Sequence, residues 1–164
     1  MPAVGSGRAY LGLGSNVGDR WAHLRKAASG LAGYGLDVAV SPVYETMPLG
    51  GPPGQRTFLN CVVGMRTDLD PRNLLAVAHG LEGQAGRVRT VRNGPRPLDV
   101  DLLLFGSLRI EEEDLVVPHP RLYRRAFVLA PLEDLDPDLV PARWRERLGG
   151  TALVSSQVRH VGSL

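Results

Sequence analysis

Acidic and basic side chains that could bind phosphate are concentrated between residues 87 and 101. Two carboxylates, Asp99 and Asp101, stand two positions apart at the start of the apolar run 102–105, which predicts a strand with both on one face. The opposite face is expected to hold Val100, Leu102 and Leu104. Neighbouring carboxylates repel each other unless a cation lies between them. Mg²⁺ favours oxygen ligands and usually keeps water and substrate phosphates as further ligands.

Four arginines precede this pair of carboxylates, namely Arg87, Arg89, Arg92 and Arg96. Guanidinium groups fork onto phosphate oxygens, so the whole stretch predicts a site for a metal-bound polyphosphate. A less specific interpretation is also open, because Asp-x-Asp pairs are common and arginine-rich loops are usually solvated surface. Carboxylates that open an apolar strand destabilise the fold unless they are used, which favours the metal site.

Apolar periodicity predicts the elements that position these residues. The strands are expected at 9–13, 36–46, 58–67 and 99–105, and the helices at 19–32 and from Asp70 to Gly86. A short partner strand is expected at 108–110, and one short helix around 144–148. The order predicts an α+β, ferredoxin-like βαββαβ fold, in which an antiparallel sheet has its helices on one face and additions at the C-terminus.

Three further features border the predicted site. The segment 47–56 contains three prolines and three glycines, which predicts a loop that is either a functional lid or a simple connector. Phe58 and Asn60 share a strand face, where a ring could stack on a flat heterocycle and an amide could bond its edge; a plain strand would look similar. His119 lies between two prolines and suits a phosphate contact or a surface turn.

The composition excludes several classes of protein. A chain of 164 residues predicts one domain, 1–164, with its own core, and a net charge of +2 gives no strong case for a nucleic-acid binder. A single cysteine, Cys61, leaves no internal disulfide or cysteine-based zinc site and fits a cytoplasmic setting. No apolar run approaches the roughly 20 residues of a membrane span, and residues 1–7 lack signal-peptide features. Gly12, Gly14 and Gly18 are spaced one residue too widely for a dinucleotide fingerprint.

Several short blocks also occur in a fixed order along the chain. They are Gly14-Ser15-Asn16 with Gly18-Asp19-Arg20, Phe58-Leu59-Asn60, Gly86-Arg87-Val88-Arg89, the run from Gly94 to Asp101, and Val117-Pro118-His119. Together they resemble the 6-hydroxymethyl-7,8-dihydropterin pyrophosphokinases of folate synthesis, from about Ala9 to Leu139. The G-P-R-x-L-D-x-D block is the most specific. The resemblance implies transfer of the β,γ-pyrophosphate of ATP to the pterin hydroxymethyl group, with release of AMP.

The resemblance also implies roles for individual residues. Asp99 and Asp101 would hold two Mg²⁺ ions, and Arg87 and Arg96 would favour the transition state. ATP contacts are implied for Glu82, which would lie by the adenosine, and for Arg89, Leu102, His119 and Arg125. Pterin contacts are implied for Thr46, Pro48, Leu49, Phe58, Asn60 and Phe127, with the two phenylalanines as a sandwich. The loops 47–56 and 87–96 would close over both substrates.

A few positions depart from the family pattern. Some members have tryptophan at Asn93, tyrosine at Phe58 and Pro120, and glutamine at His79, which bears on ATP affinity and loop closure. We expect a monomer with small-molecule substrates, no protein nucleophile and no obligate protein, membrane or nucleic-acid partner. A nucleic-acid module of this fold would need exposed sheet aromatics, and aromatics are only 5% of the chain. A non-catalytic pterin- or nucleotide-binding scaffold is disfavoured by the intact Asp99 and Asp101.

Overall fold

The computed structural model describes residues 7–48, 50–87 and 93–164. The strands are β1 (Gly7–Ser15), β2 (Leu36–Val40), β3 (Val43–Thr46), β4 (Phe58–Thr67), β5 (Asp99–Phe105), β6 (Ile110–Glu112), β7 (Leu115–Val117) and β8 (Val158–Gly162). The helices are α1 (Arg20–Ala32), α2 (Pro71–Gln84), α3 (Ala126–Leu135), α4 (Trp144–Arg147) and α5 (Thr151–Gln157). None of the helices in these ranges combines the length and hydropathy that a membrane crossing needs.

The main sheet is antiparallel, with the strand order β5-β1-β4-β3-β8 and with β2 also paired to β4. Strand β1 lies between β4 and β5, and its register pairs Gly14 with Asn60 on one side and with Asp99 on the other. The predicted α+β fold with an antiparallel sheet is therefore confirmed. Its register brings the predicted pterin strand and the predicted metal strand together at one end.

Helices α1 and α2 cover one face of the sheet. Each begins where an aspartate caps it, since Asp19 accepts from Ala22 N–H at 3.0 Å and Asp70 accepts from Asn73 N–H at 2.8 Å. Their buried side chains pack against alternate residues of β4, as the sequence predicts; this core includes Leu24, Leu31, Leu74, Ala78, Leu59, Cys61, Val63 and Met65.

The opposite face of the sheet is partly covered by α3 and by the turn before it. Leu122, Val128 and Leu132 pack there against Tyr10, Val62 and Leu103. The expectation of helices on one face thus holds for α1 and α2, while α3 belongs to the C-terminal additions. Because both faces of β4 are covered, its residues are buried almost continuously rather than alternately.

Two details of the predicted strands are wrong. The strand expected over 36–46 is two strands, because Pro42 has no N–H to donate and the chain breaks there. Ser41 bridges the break, since its N–H donates to Val62 O and its hydroxyl accepts from Val62 N–H at 2.8 Å. In β5, a register shift opposite Tyr10 and Leu11 turns Leu104 away from Val100 and Leu102, and Phe105 takes the core position instead.

The segments after β5 also differ from expectation. The short strand expected at 108–110 lies at Ile110–Glu112 and pairs with β7 in a separate two-stranded sheet. The acidic run 111–114 is divided between β6 and the turn at 113–114, where Asp114 accepts two hydrogen bonds from Arg72 of α2, each 3.0 Å long. At the C-terminus, the structure adds α5 and β8 to the one helix that the sequence predicts, and β8 pairs with β3 at the sheet edge.

Cys61 offers a direct test of the packed core. Its side chain is 1% exposed, and burial raises the pKa of the thiol to about 12. We therefore expect the native protein to react with a thiol reagent at neutral pH no faster than it unfolds, because both access and thiolate are lacking. Unfolded protein in denaturant should react with one equivalent of the reagent within the mixing time. Rapid stoichiometric labelling of the native protein would contradict this packing.

Candidate active site

Asp99 opens β5, and two arginines that lie on either side of the undescribed residues 88–92 meet at its carboxylate. Arg87 donates to Asp99 Oδ1 at 2.6 Å, and Arg96 donates to Asp99 Oδ2 at 3.2 Å. Three of the four residues predicted to be catalytic are thus in direct contact. The arginines neutralise this carboxylate and would have to share it with, or yield it to, an incoming cation and phosphate.

Asp101 is the fourth of these residues and shares the face of Asp99. Burial and, after it, the negative charge of Asp99 raise the pKa of Asp101 to about 7, although the nearby Arg125 acts in the opposite direction. A second carboxylate charge at this place therefore needs a cation nearby. Among the described residues no group of three or more histidines, cysteines or acids is placed to hold a metal. An oxygen-only pair suits a hard divalent cation whose remaining ligands are water and substrate phosphate.

Glu82, expected beside the adenosine, lies beneath the arginines and is only 5% exposed. Its carboxylate accepts from Val100 N–H at 3.1 Å and forms an ion pair with Arg87. Burial raises the pKa of Glu82, while Arg87 and the Val100 N–H favour its ionised form. Glu82 consequently connects α2 to β5 and directs Arg87 toward Asp99.

A cavity of about 320 Å³ lies between α2, β5 and the β6–β7 hairpin. The two aspartates line it together with the predicted ATP residues Glu82, Leu102 and His119, and also with His79 and Leu115. Burial and the nearby Arg125 and Arg121 lower the pKa of His119, which favours a neutral ring at neutral pH. The N–H of His119 donates to Leu103 O at 2.9 Å, which attaches the histidine to β5.

A second, smaller cavity of about 60 Å³ adjoins the first at Asp99. It brings together four of the predicted pterin residues, Thr46, Phe58, Asn60 and Phe127. The Asn60 Nδ2 donates to Thr46 Oγ1 at 2.8 Å. The Arg96 guanidinium lies 5.2 Å from the Phe58 ring centroid, and the Arg125 guanidinium lies 5.5 Å from that of Phe127. This cavity therefore has aromatic rings, an amide and two cations at its border.

Other predicted residues fall outside these two cavities. Pro48 is described but does not line the second cavity. Leu49 and Arg89 lie outside the described residues, as does Arg92 of the arginine run. A larger open groove of about 740 Å³ beside Tyr34 and Arg66 lies at the opposite end of the sheet, and none of the predicted site residues that the structure describes lines it.

Sequence reasoning missed two groups of residues that support the site. Gly14 leaves space for Asn60, since a Cβ there would lie 2.9 Å from Asn60 Oδ1. Asn16 and Gln55 connect the loops that border the second cavity. The Gly14-Ser15-Asn16 block was the only sequence signal for Gly14 and Asn16. Nothing in the sequence around Gln55 distinguishes it from other loop glutamines.

The sequence of the chain has relatives among known proteins. The family profile described as "7,8-dihydro-6-hydroxymethylpterin-pyrophosphokinase (HPPK)" matches residues 10–137. The chain belongs to this family. Two relatives, each named 2-amino-4-hydroxy-6-hydroxymethyldihydropteridine pyrophosphokinase, are from Bacillus subtilis and Methylorubrum extorquens. The first is 47% identical over 129 residues, 77% of this chain and 77% of the relative, and the second is 47% identical over 135 residues, 81% and 85%.

Solved structures of family members share the fold. The HPPK-DHPS protein in complex with substrates matches 93% of this chain with a TM-score of 0.66 at 15% identity, and wild-type Plasmodium falciparum HPPK-DHPS with STZ-DHP matches 82% with a TM-score of 0.59 at 16% identity. The chain spans 44% and 40% of those two solved chains. At such identities the likeness concerns the fold, and the sequence relatives establish the family.

Glu82 provides a stability test of the site. Replacing Glu82 by alanine leaves the buried Val100 N–H without its acceptor and Arg87 without one partner, which we expect to lower the free energy of unfolding by about 1–3 kcal/mol. Glu82→Gln retains an acceptor for Val100 and should lose less. Urea unfolding measures both changes against Glu111→Ala, a matched control at an exposed position. If Glu82→Ala unfolds at the same urea concentration as the control, the connecting role is wrong.

Proposed function

We propose that the two adjoining cavities bind ATP and the reduced pterin, and that the residues around Asp99 perform the transfer between them. The chain is a pyrophosphokinase of folate synthesis, which moves pyrophosphate from ATP to the hydroxymethyl group of 6-hydroxymethyl-7,8-dihydropterin. The observation that supports the assignment of residues most strongly is the contact of Arg87 and Arg96 with a carboxylate that lines both cavities.

The first cavity takes the nucleotide. Leu102 and Leu115 offer apolar contact for the adenine, while Arg87 and a neutral His119 can donate to phosphate oxygens. Asp99 and Asp101 would hold two Mg²⁺ ions, which would supply positive charge to the triphosphate when bound. We assign Arg125 to the phosphates as well. It lines the second cavity together with Asp99, and it is near enough to Asp101 for its charge to lower the pKa of that carboxyl.

The second cavity takes the pterin. Phe58 and Phe127 flank it, so that a flat heterocycle can stack between them, and Asn60 with Thr46 can bond its edge. Pro48 and Leu49 are assigned to the same substrate, and Arg89 to ATP, by the family resemblance. A pterin held here has its hydroxymethyl group directed toward Asp99, where the two cavities meet.

The reaction needs position and charge more than it needs a protein nucleophile. The pterin hydroxyl oxygen forms a bond to the β-phosphorus, the bond from that phosphorus to the bridging oxygen of AMP breaks, and AMP leaves with the electron pair. The hydroxyl proton passes to solvent. Arg87 and Arg96 neutralise charge that develops on the transferred group, and the loops around Met47 and Asn93 exclude the water that would hydrolyse ATP.

We further propose that the chain works as a single domain, 1–164, and as a cytoplasmic monomer that needs only its small-molecule substrates. The HPPK-DHPS proteins show that a family member can be joined to a second domain. Gel filtration with light scattering would measure the oligomeric state directly.

AMP release from ATP, Mg²⁺ and 6-hydroxymethyl-7,8-dihydropterin tests the proposed function and the assigned aspartates. Asp99→Asn and Asp101→Asn should each lower kcat by about 10²-fold or more, because each removes charge that the transition state uses and retains the side-chain shape. Asp138→Asn, at an exposed position, is the control and should keep normal turnover. Near-normal rates for either site variant would refute the metal assignment, and a wild-type protein that makes no AMP would refute the function.

Gly14 supports a prediction about the pterin side. In Gly14→Ala the new Cβ pushes Asn60 away from its place beside Thr46, so we expect the KM for pterin to rise about tenfold and the KM for ATP to change less than about twofold. Gly12→Ala is the matched control, because its Cβ would lie 3.5 Å from Leu103, an ordinary contact. Steady-state kinetics with each substrate varied in turn makes the measurement. Equal effects of the two variants would contradict the role of Gly14.

A further inference from the structure

Asn16 is a buried amide just beyond β1, and it holds the backbone of a residue 80 positions further along the chain. Its N–H donates to Arg96 O at 3.0 Å, and its Oδ1 accepts from Arg96 N–H at 2.7 Å. Only 1% of Asn16 is exposed, so both groups would be unsatisfied without Arg96. The backbone of the predicted catalytic arginine is therefore fixed from both sides by one residue.

The other end of the same amide reaches the loop 50–56. Asn16 Nδ2 donates to Gln55 Oε1 at 3.1 Å and to Arg56 O at 3.2 Å. Gln55 Nε2 in turn donates to Asn93 O at 3.0 Å and to Pro52 O at 3.2 Å. These two side chains form a continuous path, here called the amide bridge, which starts at Arg96, crosses the loop 50–56 and ends at Asn93.

The two loops also touch through their backbones. Gly51 has a φ of +78°, which favours glycine, and a Cβ at that position would overlap the Asn93 carbonyl. Because no side chain separates the segments here, Gln55 lies close enough to bond Asn93 O. The loop 50–56 thus packs directly on the segment 93–96, from which Asn93 and Arg96 line the second cavity.

The position of the Arg96 side chain follows from that of its backbone. Its guanidinium bonds Asp99 at 3.2 Å and lies 5.2 Å from the Phe58 ring centroid, between the metal pair and the pterin cavity. We propose that Asn16 and Gln55 are positioning residues, and that the amide bridge couples the loop on the pterin side to Arg96. These hydrogen bonds hold the backbone of Arg96 where its side chain lies beside Asp99, the place proposed for the transferred phosphate. The proposal rests on the proposed function for its kinetic consequences and on the hydrogen bonds alone for its structural ones.

A double-mutant cycle tests the coupling. Asn16→Ala and Gln55→Ala should each lower kcat about tenfold, because Arg96 loses its place in the transition state, while the KM for ATP stays within about twofold. The kcat of the double variant should be no more than about twofold below that of the less active single variant, since both residues act through one path. Gln157→Ala, an exposed glutamine of α5, is the matched control and should retain full turnover. If the losses of the two single variants multiply, the two residues act independently and the bridge is refuted.

Amide hydrogen exchange provides a second readout that does not depend on turnover. The Arg96 N–H should exchange about tenfold faster in Asn16→Ala than in the wild type, while Asn16→Asp, which retains the acceptor oxygen, should leave it protected. Asn16→Asp should nevertheless lose turnover, because its second oxygen faces Gln55 Oε1 and Arg56 O instead of donating to them. Unchanged exchange in Asn16→Ala would overturn the proposal even if the wild-type protein released no AMP. Gln55 is less buried than Asn16, so Gln55→Ala remains a test if the Asn16 variants do not fold.

Discussion

Repulsion between Asp99 and Asp101 is the constraint on which the rest of the site depends. The two carboxylates share a strand face, and burial together with the charge of Asp99 raises the pKa of Asp101 to about 7, so a second negative charge is poorly tolerated there. Arg87 and Arg96 relieve the repulsion from one side by bonding Asp99. A divalent cation would be attracted by the negative charge that remains on the two carboxylates, and phosphate would bind the cation and the arginines. The repulsion that destabilises the strand therefore also favours the binding of a cation.

The sheet determines which groups meet at this place. Gly14 of the central strand pairs with Asn60 and Asp99 on its two sides, and its missing side chain leaves space for Asn60. The two cavities therefore adjoin at Asp99 without an intervening layer. Helix α2 contributes Glu82 from beneath, which bonds both β5 and Arg87. The strand register therefore places the two cavities that we propose for the substrates next to each other.

Local patterns predicted those parts of the molecule that depend on neighbouring residues. Alternation along the strands placed Asp99 with Asp101 and Phe58 with Asn60, and apolar residues at helical spacing located α1 and α2. Long-range contacts decided the rest. The change of face at Leu104 follows from the register shift between β5 and the Tyr10–Leu11 pair of β1. Residues 158–162 form a strand because they pair with β3. The path from Asn16 through Gln55 to Asn93 joins residues tens of positions apart, so no local pattern could indicate it.

The central claim is that a cation joins Asp99 and Asp101 to the triphosphate beside the pterin. A crystal structure with Mg²⁺, a non-hydrolysable ATP analogue and the pterin tests it most directly. We expect metal density within coordinating distance of both carboxylates and of phosphate oxygens, with Arg87 and Arg96 on those phosphates and the pterin between Phe58 and Phe127. A fully bound complex in which no cation contacts either aspartate would contradict the account.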